Sequence, residues 1–324
     1  MKFFGKTKLR HLAAGLAVGG SLFFGGNAQV GAAPNSEDVW AFREAYTAQV
    51  ADTRVFEQDM TLIAPTFHLD VDSRAQILTD GSFRMGGNFT WTYTNLKKNY
   101  STNNTIPFYI EQIDNDMTLY VKRRNRWSKM SLPGLPSGIA ILWKTTDPAR
   151  TNEIMNAVKA VEVLKDTPDM RIMNVTLDGA KLATLLEKNS QATFANLKGS
   201  ALAEQKEMFN RWLAAFKETD ITFSWTVNKP SWTTATAAFD LTPIMRAYAR
   251  YVLDESAAGR VVLTDEERDL LDAMGYYAEL RSYTTNLKPT KDNFINVPSA
   301  LNNARENDDS LNDVFREMTT VVEK

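Results

Sequence analysis

The sequence predicts an α+β domain in which an antiparallel sheet of about nine or more strands curls around helices. Two observations carry this. Apolar residues recur every second position before residue 130 and again after residue 220, and the segments between them carry helical spacing.

The elements follow in order. Ser36 is a good N-cap, and Val39, Phe42, Tyr46 and Val50 follow at helical spacing, which predicts a helix over 37–50. Phe67, Leu69 and Val71 then alternate with His68, Asp70 and Asp72, and Phe89, Trp91 and Tyr93 alternate with threonines. These are strands with one apolar and one polar face, and the turn residues Thr79-Asp80-Gly81-Ser82 and Asp114-Asn115-Asp116 punctuate a meander from about 53 to 130. Asp147-Pro148 opens a second helix with Ile154, Val158, Val161 and Leu164 on one side, ended by Pro168. RIMNVTL reads as a strand, and Asp178 caps a helix through Leu186. A longer helical stretch runs over about 193–216. ITFSWTV and SWTTATAAF are strands around Asn228-Lys229-Pro230. Helices follow at about 242–254 and, behind the capping box Thr264 to Glu267, at about 265–274. Strands at about 276–285 and at Asn293 to Val297 come next, with a closing helix on Leu311, Val314, Phe315, Met318 and Val321.

The ends and the composition bound the function. Lys2, Lys6, Lys8 and Arg10 precede an apolar run from Leu12 to Phe24, and Gly31-Ala32-Ala33 precedes Pro34. This is the pattern of a secretory signal peptide over 1–33, with an apolar part of about 13 residues where a span needs roughly 18 to 20. The mature chain, 34–324, is expected to be soluble and exported, periplasmic or extracellular. With no cysteine there is no disulfide, thiolate site or lipid-bearing N-terminal cysteine, so the fold must hold by burial alone. The 44% hydrophobic content, with 7 Trp and 17 Phe, is enough for one large core. A net charge of -2 gives no general pull on nucleic acid or anionic membrane.

Several segments recur together in one group of exported proteins. They are TDGSFRM, DNDMTLYVKRRNRWSKM, the strand-helix unit RIMNVTLDGAKLATLLEK, a late strand pair closing in FDLT, and the ending TNLKPTKDNFINVP. In this order the chain resembles the LolA/LppX-like half-barrel superfamily over roughly residues 36 to 298, nearest its secreted and lipoprotein branch. The resemblance implies a half-barrel whose concave face is partly plugged by helices, leaving an apolar cavity for acyl chains of lipids or lipoproteins. The stretch over 242–274 reads as a helical insertion, and 298–324 as a C-terminal helical extension.

Catalysis has little material. His68 is the only histidine after residue 33, and no GxSxG, HExxH or phosphate-cradling glycine loop occurs. His68, Asp70 and Asp72 share a strand face, but neighbours there lie about 7 Å apart, too far to share one zinc. The acidic pairs Asp114/Asp116, Glu266/Glu267 and Asp308/Asp309 fall at turns and helix starts, where capping accounts for them. A non-enzymatic binder with no metal or cofactor is therefore expected. Its partner would be an apolar small molecule or lipid, or another envelope protein.

The candidate ligand residues are Trp91, Tyr93, Phe108, Leu119 and Val121, with Tyr109 in the same aromatic group. On a concave sheet they line a pocket; otherwise they are core. In QIDNDMTLYVKRRNRWSKM, Met117, Leu119 and Val121 form the inward row and Lys122 faces outward, with Arg124-Asn125-Arg126 as the turn. Lys122, Arg124 and Arg126 either protect a sheet rim or meet an anionic head group or wall polymer.

Overall fold

The computed structural model describes residues 37–48, 54–65, 67–78, 82–95, 100–113, 116–123, 125–131, 154–194 and 199–306. Its N-terminal meander is β1 (Arg54–Ala64), β2 (Phe67–Ile77), β3 (Phe83–Asn95), β4 (Tyr100–Ile113), β5 (Asp116–Arg123) and β6 (Arg126–Ser131). A second set is β7 (Val158–Asp166), β8 (Met170–Leu177), β9 (Ile221–Asn228), β10 (Thr233–Asp240), β11 (Glu279–Leu287) and the short β12 (Arg305–Glu306). Besides a helical turn that ends at Ala157, the described helices are α1 (Glu37–Ala48), α2 (Gly179–Phe194), α3 (Gly199–Lys217), α4 (Thr242–Ala257) and α5 (Asp265–Tyr277).

All twelve strands join one open sheet in the order β12, β6, β5, β4, β3, β2, β1, β11, β10, β9, β8, β7. Every pairing is antiparallel except β12 with β6. The two sets meet where β1 pairs with β11, from Val55 opposite Leu287 to Ile63 opposite Glu279. Because side chains alternate across a strand, register partners share a face. One face is apolar from β5 to β8, and it joins the helices in a single hydrophobic cluster. We call it the inner face.

The helices start where their caps place them. Asp178 Oδ1 accepts from the Lys181 backbone N–H at 3.0 Å, as expected of an N-cap. Thr264 and Glu267 form the full capping box, with bonds of 3.2 and 2.9 Å. At α2 a close approach demands glycine: a Cβ on Gly179 would lie 1.8 Å from the Thr219 carbonyl oxygen and 2.2 Å from that of Phe216, beside the end of α3. Gly87 in β3 is equally constrained, with a Cβ there 2.0 Å from the Asp72 carbonyl oxygen of β2.

Three expectations need correction. The second helix does not run to Pro168: it ends at Ala157, and Val158–Asp166 is the edge strand β7. Bulges between Val158 and Ala160 and between Val163 and Lys165 put extra residues into the strand, and this produces the three-residue spacing that reads as a helix. Leu164, predicted on the apolar side, is exposed. The strand expected over Asn293 to Val297 is a turn followed by irregular chain between Pro289 and Pro298, and its Ile295 N–H donates to the Gln76 side chain (3.2 Å) instead of a ladder. The stretch predicted as one helix over about 193–216 belongs to two, with α2 continuing past Leu186 to Phe194 and α3 beginning at Gly199. The described part of the C-terminal extension is a 3-10 turn, Ser299–Asn303, and β12. The signal segment and the closing helix on Leu311 to Val321 lie outside the described residues.

Candidate ligand-binding face

The inner face is assembled by register. Val121, Phe108, Gly87, Ser73, Gln58 and Thr284 are successive partners from β5 to β11, and the row continues through Ala237 and Trp225 to Met173. On one side of it lies the row Phe89, Val71, Met60, Ser282, Phe239, Phe223, and beyond that Trp91, Leu69, Leu62 and Leu280. On the other side Leu119, Ile110, Met85 and Ala75 are partners. Trp91, Phe108, Leu119 and Val121 thus share one face, as the alternation predicts, and all four are buried at 1 to 4% exposure. Tyr93 is on this face by its register with Phe67, and its side chain lies outside the described residues.

Tyr109 does not join them. Being next to Phe108 it projects from the outer face, where Gly86 leaves room beside its ring and Ile295 packs over the same glycine. Burial, and after it the Glu111 carboxylate, push its phenol above the usual tyrosine range.

Among the described residues α1 packs against β7 and β10, α4 against β11, and α5 against β1, the first strand of the other half. Phe42 of α1 meets the rings of Phe223 and Trp225 at 6.2 and 5.1 Å. In the other half the strands stack on one another, Phe89 on Phe108 at 4.1 Å.

The middle of this face is polar, in the central row and, at Ser282, in the row beside it. Gln58, Ser73, Ser282 and Thr284 are all buried, at 9% exposure or less, in the middle of the apolar face. Gln58 Nε2 donates to Ser282 Oγ (3.2 Å), Ser73 Oγ to the Gln58 carbonyl (3.2 Å), and Thr284 Oγ1 to the Ala237 carbonyl (3.2 Å). Gln58 Oε1 is buried without a hydrogen-bond partner, and so is the indole N–H of Trp91. Sequence reasoning missed this belt, although its signal is present: Gln58 falls in the apolar phase of Phe56, Met60 and Leu62, and Ser73 in that of Leu69 and Val71.

The charged hairpin differs in part from expectation. Arg126 is not in the turn; it opens β6 opposite Arg123, and Asn125 holds the left-handed conformation (φ 64°) that asparagine tolerates in a two-residue loop. Arg126 is exposed and follows the inner-face phase of Ser128, while Lys122, opposite Trp127, follows the outer phase of Tyr120. Arg124 lies outside the described residues.

On the outer face His68 Nε2 is 3.1 Å from Asp70 Oδ1, and Asp70 also accepts from Thr61 (2.9 Å). Among the described residues no three His, Asp or Glu side chains are placed to hold a metal ion. Glu267 is occupied as a cap; the side chains of Asp116 and Glu266, together with Asp114, Asp308 and Asp309, lie outside the described residues.

One end of the helix-covered half is tied by ions. Asp166 Oδ2 accepts from Arg171 Nη2 (2.8 Å), and Asp166 Oδ1 pairs with Lys229 Nζ (2.6 Å). Arg171 is buried beneath Trp232, its guanidinium carbon 5.7 Å from the ring centroid, and Trp40 meets Trp232 edge-on at 5.5 Å. The hydrogen bonds from Arg171 and Lys229 hold the Asp166 carboxyl at about 2.

Among solved structures, the crystal structure of LprF from Mycobacterium bovis is similar at 8% identity and a TM-score of 0.40, over 83% of this chain and 99% of that one. No family model and no curated protein matches the sequence. No described helix is long and apolar enough to cross a membrane.

Proposed function

We infer that the protein is an exported, non-enzymatic binder of an apolar, acyl-chain-like ligand, held on the inner face of β1–β5 by Trp91, Tyr93, Phe108, Leu119 and Val121. The observation that carries this reading is the unequal finish of the inner face. The β8–β10 half meets helices through its rings and pairs the Trp225 indole, its buried unpaired nitrogens lying at its end on Arg171 and in the helix layer on Trp212, whereas the β1–β3 half keeps the Trp91 indole N–H and the Gln58 amide oxygen without partners in the middle of its inner face. A finished core seldom leaves such groups, since each costs about 1 to 3 kcal/mol. Apolar burial at about 25 cal/mol per Å² would supply the affinity, and selectivity among chain lengths would be loose.

A second reading has its own observation. Trp91, Phe108, Leu119 and Val121 are buried by the chain itself, which suits a scaffold that presents an outer face to an envelope protein and has a filled interior. Native mass spectrometry of the purified protein, before and after addition of stearic acid, separates the two. A one-to-one complex with retained or added chain is expected. A protein that stays free of lipid throughout sinks the carrier reading and leaves the scaffold.

A further inference from the structure

The belt around Gln58 is not explained by apolar binding, since an apolar ligand gains nothing from it. We propose that this belt is the subsite for a hydroxyl group, so that the bound chain is a hydroxylated acyl chain rather than a plain hydrocarbon one. The proposal rests on the acyl-chain reading above and adds a chemical requirement to it.

The groups on the page define that requirement. Ser73 and Thr284 spend their hydroxyl hydrogens on backbone carbonyls, so what they still offer is acceptor capacity. Gln58 has one end of its amide on Ser282 and the other, Oε1, buried at a residue exposure of 3% with no partner. An ester or ketone oxygen can accept from the Ser282 hydroxyl, which is an acceptor toward Gln58, but it leaves Gln58 Oε1 unpaired, and a methylene brings nothing. A hydroxyl donates to Gln58 Oε1 and still accepts, so it also serves if the amide is turned end for end. The belt's place decides where along the chain that hydroxyl lies. Gln58 is in the central row, flanked by apolar rows through Met60 and Phe56, so the polar group must sit within the chain with hydrocarbon on both sides. This excludes a fatty acid whose only polar group is its terminal carboxylate as the best ligand.

Stearic acid and a series of hydroxystearic acids with the hydroxyl at different carbons, titrated into the full chain by displacement of a fluorescent fatty acid, test the proposal. At least one internal hydroxystearate is expected to bind about tenfold more tightly than stearate, the worth of one well-made buried hydrogen bond. Gln58→Met keeps the volume and removes the acceptor; it should abolish that preference while leaving stearate affinity within about twofold. Ser282→Ala releases the amide from its tether without removing it and should reduce the preference, which keeps the test available if Gln58→Met does not fold. If stearate and every hydroxystearate bind alike, or both variants keep the wild-type preference, the belt is not the subsite and the acyl-chain reading stands without it. If no chain binds at all, both are overturned.

Discussion

Two tryptophans on the same inner face live in different surroundings. Trp225 of β9 is 4% exposed, packs against Phe42 of α1, and donates its indole N–H to Thr234 across the β9–β10 hairpin at 2.7 Å. Trp91 of β3 is 1% exposed and its N–H has no partner. Both residues sit at inward positions of alternating strands and look equivalent in the sequence. What separates them is the neighbouring strands: Thr234 reaches the inner face because the β10 register shifts between Thr234 and Thr236, while Trp91 stands between Leu69 of β2 and the exposed Asn104 of β4, and neither takes its N–H. The comparison teaches that apolar patterning fills a face, and that a separate arrangement is needed to satisfy the polar atoms it drags inside. In the β8–β10 half that arrangement is present. Its exceptions are Arg171, which keeps Asp166 on one nitrogen and lies beside the Trp232 ring, and the indole N–H of Trp212, whose ring stacks on Tyr248 in the helix layer.

The largest expected effects come from the two glycines, one in each half. Gly87→Ala forces a Cβ into the β2 backbone, and Gly179→Ala forces one into the carbonyls at the end of α3; backbone cannot yield as a flexible side chain would. Each substitution should cost more than about 3 kcal/mol, read as loss of cooperative unfolding or a large drop in thermal midpoint by circular dichroism. A mild effect at Gly87 alone would mean that the β2–β3 approach relaxes, and that this half is looser than the other.

An intermediate effect should separate the tryptophans directly. Trp225→Phe removes an N–H that the buried Thr234 hydroxyl accepts, whereas Trp91→Phe removes a group that was unsatisfied. Both lose packing volume. By urea unfolding, Trp225→Phe should therefore be the more destabilising by about 1 to 2 kcal/mol. Equal losses would show that Trp91 has a partner in solution, and would remove the main support for an unfinished β1–β3 half.

The sequence shows the strands of both halves and hides the difference between them. Period-two alternation placed β2, β3 and β5 with their apolar rows and β8 and β9 as strands, because a sheet with one buried face imposes that pattern residue by residue. It failed at β7, where two bulges shift the phase, and at Asn293 to Val297, where a side-chain amide rather than a neighbouring strand takes the backbone N–H. Tyr109 was grouped with Phe108 because aromatic residues draw the eye as a cluster, although adjacent strand residues must face opposite ways. The Gln58 belt was legible as polar residues in an apolar phase, but its meaning depends on which strands stand side by side. That β1 and β11 are neighbours, bringing Thr284 and Ser282 to Gln58 over more than two hundred residues of chain, follows from no local signal.

The smallest expected effects are the acid-base ones, and they too divide the halves, with opposite signs. In the helix-covered half, the Asp166 carboxyl is held at about 2 by its hydrogen bonds from Arg171 and then Lys229. Its folded value is below the ordinary one, so its contribution is present above about 3.9 and is lost as pH falls through the folded value. On the outer face of the other half, Asp59 stands directly opposite Asp72, and its carboxyl is raised, first by burial and then by the Asp72 and Glu57 charges. A raised carboxyl works the other way: its contribution is present below the ordinary value and is lost as pH rises through the folded one, so at neutral pH the ionised pair opposes folding. Thermal midpoints measured from pH 2 to 7 should show Asp166→Asn lowering stability at neutral pH and flattening the acid limb. Asp72→Asn should raise the neutral midpoint slightly, with a gain that shrinks in high salt because the relieved repulsion is between exposed groups. A neutral midpoint unchanged or lowered in Asp72→Asn at low salt would mean that the Asp59–Asp72 pair is compensated by a cation, and that the outer face of this half is a site in its own right.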